Sequence, residues 1–168
     1  THSSVVQGLL ARIATCLSSY LPPAVRADRA PRVAQDLLDL ARAAGPGGDK
    51  QLQLVRAVAA HAVTDVQTGA VAAWLDGSEA LEGLAVDQDL RWDLLVGLVA
   101  AGRADEAAIA AEEARDRTTT GRERAAQARA AVPTPQAKAA VWRELMEDVS
   151  MPNETQVKTL RGFNDVER

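Results

Sequence analysis

The run Asp49-Lys50-Gln51-Leu52-Gln53-Leu54-Val55-Arg56-Ala57-Val58-Ala59-Ala60-His61-Ala62-Val63-Thr64-Asp65-Val66 decides the fold class. Leu52, Val55, Ala59, Ala62 and Val66 fall at alternating steps of three and four, the spacing that puts side chains on one face of an α-helix. The alanines on this narrow seam let a neighbouring helix approach closely.

The same period extends to either side. Upstream, Val6, Leu9, Leu10, Ile13, Leu17 and Tyr20 share a face until Pro22 and Pro23 stop it. A second helix is expected from Pro31 in its first turn, through Val33, Leu37, Leu38 and Ala41, to Gly45, with a loop from Gly45 to Asp49. Downstream, Val71, Trp74 and Leu75 mark a shorter helix that ends before Asp76-Gly77, a turn-forming pair. Residues Ser78 to Val86 read as loop or a short helix.

The second half is punctuated by start signals. Asp87 to Asp89 precede one helix, Asp105 opens another, Thr120 with Glu123 reads as a capping box, Thr134-Pro135 begins a fourth, and Asn153 with Gln156 caps a fifth. Every second start lies roughly 32 residues on, a spacing found in stacked helical hairpins. The expected fold is all-α, a short α-solenoid of paired antiparallel helices of the HEAT or armadillo kind. An irregular helical bundle would show the same amphipathic faces.

The chain has 168 residues, 47% apolar and 25% charged, a globular balance with room for one domain and a real core. Its net charge of -4 argues against nonspecific binding to nucleic acid or an anionic membrane. No run of eighteen apolar residues and no export signal stands in it. A single cysteine, Cys16, permits no intrachain disulfide and fits a reducing, cytoplasmic setting; placed on the apolar face of the first helix, its thiol is expected to be buried and inert.

Catalytic chemistry is hard to find. The histidines are His2 and His61, so H-E-x-x-H cannot occur, and no metal site is expected in this segment. His61 reads as a packing or surface residue, and no G-x-S-x-G stands anywhere. The glycine cluster Gly45-Pro46-Gly47-Gly48-Asp49-Lys50 follows a helix instead of a strand, and Lys50 precedes Gln51 where a phosphate loop needs a hydroxyl; a flexible linker is the better reading. Arg115, Arg117, Arg122, Arg124 and Arg129 are interleaved with Glu112, Glu113, Asp116 and Glu123, which reads as a solvated mixed-charge face. The acids Asp105, Glu106, Glu112, Glu113 and Asp116 select no catalytic pair.

In Asp89-Leu90-Arg91-Trp92 the tryptophan stands on a different face from Leu94, Leu95 and Leu98. It either packs against the neighbouring helical pair or lies with Arg91 on a concave surface, where a guanidinium would meet carboxylates or carbonyls.

Several separated segments carry a resemblance. They are Asp87-Gln88-Asp89-Leu90-Arg91-Trp92; Leu98-Val99-Ala100-Ala101-Gly102-Arg103-Ala104; Glu113-Ala114-Arg115-Asp116-Arg117-Thr118-Thr119-Thr120-Gly121; Pro133-Thr134-Pro135-Gln136-Ala137-Lys138-Ala139-Ala140-Val141-Trp142; Pro152-Asn153; and Arg161-Gly162-Phe163. Together they resemble the C-terminal helical domain of bacterial aminopeptidase N family zinc metallopeptidases, the gluzincin aminopeptidases. The match is strongest over 87–163; residues 1–86 agree in helical character and order, and 1–168 is expected to form a single helical-repeat domain, a fragment of a longer chain that continues past Arg168.

The resemblance implies an enzyme part that is silent alone. Members of the family remove N-terminal residues from peptides with one zinc held by H-E-x-x-H and a later glutamate, beside a G-x-M-E-N strand; none of these motifs is present. Zinc is therefore expected in the catalytic domain, the domain's partner within the same polypeptide, with this segment enclosing a chamber through which peptide substrates reach the metal. Arg91 and Trp92 are the expected chamber-facing residues. Neither nucleic acid nor a membrane is expected as a partner, and an isolated fragment would expose apolar surface and self-associate. A stand-alone helical-repeat module that binds a protein or peptide, and a distinct small hydrolase, are the competing expectations.

Overall fold

The computed structural model describes residues 2–148 and 150–164, apart from the His2 side chain. Thr1, Val149 and 165–168, which the expected span 1–168 includes, lie outside the described residues. Among those described, the chain is all-α, with no strand. The helices are α1 (His2–Thr15), α2 (Pro23–Ala43), α3 (Asp49–His61), α4 (Asp65–Asp76), α5 (Gln88–Ala100), α6 (Glu106–Arg115), α7 (Thr119–Ala131), α8 (Pro135–Glu147) and α9 (Asn153–Phe163); a π-helical segment, Cys16–Tyr20, prolongs α1. The chain divides into two compact units, Thr1–Leu90 and Arg91–Arg168.

In the first unit α2 and α3 form the main packed pair. α2 buries Ala34, Leu37, Leu38 and Ala41; α3 buries Gln51, Leu54, Val55, Val58 and Ala59. The expected α3 seam is thus rotated. Val66 belongs to α4 and is 67% exposed, because Thr64 breaks the helix by capping the next one. The Thr64 hydroxyl accepts the Gln67 amide hydrogen, and Gln67 Oε1 accepts the Thr64 N–H, a reciprocal capping box that satisfies two helix-end donors. Gln67 is buried, and its Nε2 donates to the Pro31 carbonyl at 2.8 Å, tying α4 to α2. Gly77 ends α4 in the left-handed conformation at φ +83°, as Asp-Gly foretold.

Three expectations for this unit are corrected. α2 begins at Pro23, not Pro31; both prolines suit a first turn, but Pro31 lies inside the helix. On the first helix the expected face is covered only in part: Leu17 is buried and Val6, Leu10 and Ile13 are half-buried, while Leu9 and Tyr20 on its flank are exposed. Cys16 is exposed, not buried: it stands seven residues after Leu9 and four before Tyr20, on the flank that all three leave uncovered.

The glycine cluster is a clamp. Gly47 and Gly83 adopt φ +70° and +74°, and a Cβ on Gly83 would lie 2.6 Å from Gly47 N. Buried Gln51 joins the same two turns: its Oε1 accepts the Gly47 N–H and its Nε2 donates to the Glu82 carbonyl. Residues 78–86 form turns, without a helix.

In the second unit the helices begin near the expected signals, with two shifts. Asp105 and Thr134 accept from backbone amides of α6 and α8 as N-caps; at the end of the first unit, Asp87 accepts from Leu90 N at the start of α5. α7 is capped by Thr118, not Thr120, and the cap of α9 is Pro152, with no side-chain hydrogen bond, so the Asn153–Gln156 cap is not formed. On α5 Trp92, Leu94, Leu95, Val96, Leu98 and Val99 are all buried.

α7 buries only small residues, Gly121, Ala125, Ala128, Ala130 and Ala131. This flat surface lets α9 come close: a Cβ on Gly162 would strike the Gln127 carbonyl oxygen and lie 3.1 Å from Ala130 Cβ. Ala130, Val141 and Leu145 form a small core, closed by Met151 and Phe163.

Candidate functional site

Three consecutive residues of α5, Arg91, Trp92 and Asp93, fasten that helix to α6 and α7. A step of about 100° per residue sends adjacent side chains in different directions, so each reaches its own partner. Arg91 forms a two-pronged pair with Glu112 of α6, Nε to Oε1 at 2.8 Å and one terminal nitrogen to Oε2 at 2.7 Å. The fork geometry matches the carboxylate, and the pair is largely withdrawn from water, with 19% and 6% of the two side chains exposed. Glu112 raises the Arg91 pKa further, against the opposing effect of burial.

Trp92 has no accessible surface, and its indole N–H donates to Asp116 Oδ2 at 2.9 Å. Of the two placements considered for this side chain, internal packing is the one seen. The other oxygen of Asp116 accepts the Thr118 hydroxyl at 2.7 Å and also its amide. Thr118 Oγ1 in turn accepts from Gly121 N and caps α7. Thr118 first, then Trp92, holds the Asp116 carboxyl below the usual range, against desolvation. Gly121 is required here, since a Cβ would strike the Asp116 carbonyl and lie 2.6 Å from its Cγ.

Asp93 completes the set by pairing with Arg124 of α7, whose Nη1 also donates to Gln127 Oε1. On the neighbouring surface Arg129 bridges Glu106 and Glu113. The stripe read as a solvated mixed-charge face is therefore partly structural: Glu112, Glu113, Asp116, Arg124 and Arg129 are committed to specific bonds, and Glu112 and Asp116 are buried. Sequence reading missed Glu112 and Asp116 as partners because they lie 21 and 24 residues from Arg91 and Trp92. A clue was available: acids beside a run of cap residues at the end of a helix.

Chemically this arrangement is a scaffold. Its carboxylates are occupied by donors, and among the described residues no three His, Cys, Asp or Glu side chains converge to hold a metal ion. Among the same residues no helix is long and apolar enough to cross a membrane. His61 is the last residue of α3.

Comparison with known proteins identifies the family. Residues 1–168 match the model of the ERAP1-like C-terminal domain family. The chain is similar to a protein of Streptomyces lividans described as aminopeptidase N, 42% identical over 159 residues, which is 95% of this chain and 19% of that protein's length.

Proposed function

Because the chain belongs to the ERAP1-like C-terminal domain family, we propose that it is the non-catalytic helical part of a zinc aminopeptidase, closing the chamber in which another part of the polypeptide removes N-terminal residues from peptides. The observation that carries the reading is the 42% identity over 95% of the chain to an aminopeptidase N, in a sequence that lacks H-E-x-x-H. We assign the zinc, which would polarise the scissile carbonyl and activate water, to ligands outside these residues.

The residues here act through rigidity. A wall that admits peptides and refuses folded proteins must hold its helices in fixed relation. The Arg91, Trp92 and Asp93 bonds do this for α5, α6 and α7. In this reading Trp92 supports the wall from within, and Arg91 is the residue of the two that retains some solvent access.

The test combines the chain with a catalytic half lacking it and measures cleavage of a peptide length series. Restored length preference is the expected result. A catalytic half that shows the same preference without this chain overturns the chamber role.

A further inference from the structure

The C-terminal turns of α7 and α9 meet at one lysine, which stands on neither of them. Lys138 lies in the first turn of α8, and its Nζ donates to the carbonyls of Ala130 at 2.6 Å, Gly162 at 3.2 Å and Phe163 at 3.0 Å. The Phe163 ring lies beneath it, with its centroid 5.4 Å from Nζ. We infer that the carbonyl ends of α7 and α9, together with the Phe163 ring, form a binding site for a primary ammonium, which the folded chain fills with its own Lys138.

Five features of the geometry lead there. An ammonium has three donors and no acceptor, and three carbonyls converge on it. The last carbonyls of a helix have no intrahelical partner. Each helix C-terminus also carries about half a negative charge, so two such ends brought together repel unless a cation stands between them. The aromatic face adds attraction at a distance within the usual limit of about 6 Å. Finally, a cation in the first turn of α8 is at the wrong end of its own helix dipole, so its position there is explained by α7 and α9. This inference stands independently of the enzyme reading.

Truncating the stem tests the site by chemical rescue. Lys138→Ala in the full 168-residue chain removes Nζ and leaves room for n-propylammonium. The melting temperature of the variant is expected to fall, and added n-propylammonium chloride to restore part of the loss, while equal concentrations of 1-propanol and sodium chloride do not. No rescue, or equal rescue by the alcohol, overturns the inference. Should the variant fail to fold, the unaltered protein decides. The lysines are Lys50, Lys138 and Lys158, and Lys50 is exposed. Acetylation with an N-hydroxysuccinimide ester, followed by peptide mass mapping, should find Lys138 about tenfold or more slower than Lys50, since its amine must first give up bonds to three carbonyls. A smaller difference overturns the inference.

Discussion

Replacing Gly162 by alanine puts helix propensity and packing in opposition. Gly162 lies in the last turn of α9, against α7. In an unobstructed helix the change stabilises by at most about 1 kcal/mol, because glycine is the more flexible residue in the unfolded chain. Here the new Cβ would fall against the Gln127 carbonyl oxygen, 3.0 Å from the carbonyl carbon and 3.1 Å from Ala130 Cβ. Neither obstacle can rotate away: one is the backbone of α7, and the other is the one side-chain carbon of an alanine. α9 must therefore shift, and overpacking of this kind costs about 1–3 kcal/mol, with main-chain obstruction at the upper end. Subtracting the propensity gain leaves a net loss of about 2 kcal/mol, or about 4–8 °C in melting temperature for a chain of this size. Circular dichroism melts read it directly. Gly8→Ala and Gly69→Ala are the controls, since a Cβ at either position meets nothing within 4 Å, and each should gain about 0.5–1 kcal/mol. A Gly162→Ala protein that melts higher, as the controls do, would refute the close approach of α9 to α7.

Other substitutions probe the remaining contacts. Leu95→Ala should cost about 2–5 kcal/mol in urea unfolding, because the side chain is buried on α5; an unchanged midpoint would place it outside the core. Arg91→Ala leaves the Glu112 carboxylate buried and without its guanidinium. The expected loss lies near the lower end of about 3–5 kcal/mol, because 19% of the Arg91 side chain meets solvent. In the parent enzyme proposed above, cleavage of a single-residue chromogenic substrate per folded molecule should not change with that substitution, while the preference among peptide lengths weakens as the wall loosens; an altered rate on the short substrate at unchanged stability would make Arg91 a substrate contact. The Asp116 pKa is lowered by folding, so its contribution is present above the ordinary carboxylate value of about 3.9 and is lost as pH falls through the folded value. Asp116→Asn should therefore lower stability at pH 7 and flatten its decline in acid, and parallel stability curves for the two proteins would contradict the role given to Trp92 and Thr118.

The all-α class was legible because a period of three and four residues needs no tertiary information. Helix ends were legible where one residue type has one reason to be there, as at Gly77, Asp105 and Thr134. They were misread where several candidates lay close together: Pro23 and Pro31 both suit a first turn, and the choice among Thr118, Thr119 and Thr120 is made by the Asp116 carboxylate, which binds the first of them. Arg91 and Trp92 stood out by residue type, but their partners did not, since the pairings are fixed by how α6 and α7 lie against α5. The exposed Leu9 and Tyr20 make the same point, because periodicity marks a face suited to burial without supplying what covers it.

The position of Cys16 has a practical outcome. As the sole sulfhydryl in the sequence, and one accessible to reagents, it allows a maleimide dye or spin label to be attached at a single defined place without mutagenesis. It also means that air oxidation can link molecules in pairs through sulfur. A dimer that disappears on adding dithiothreitol therefore reports that covalent bridge, and only one that survives reductant bears on exposed apolar side chains such as Leu9 on α1, Trp142 and Met146 on α8 and Leu160 on α9.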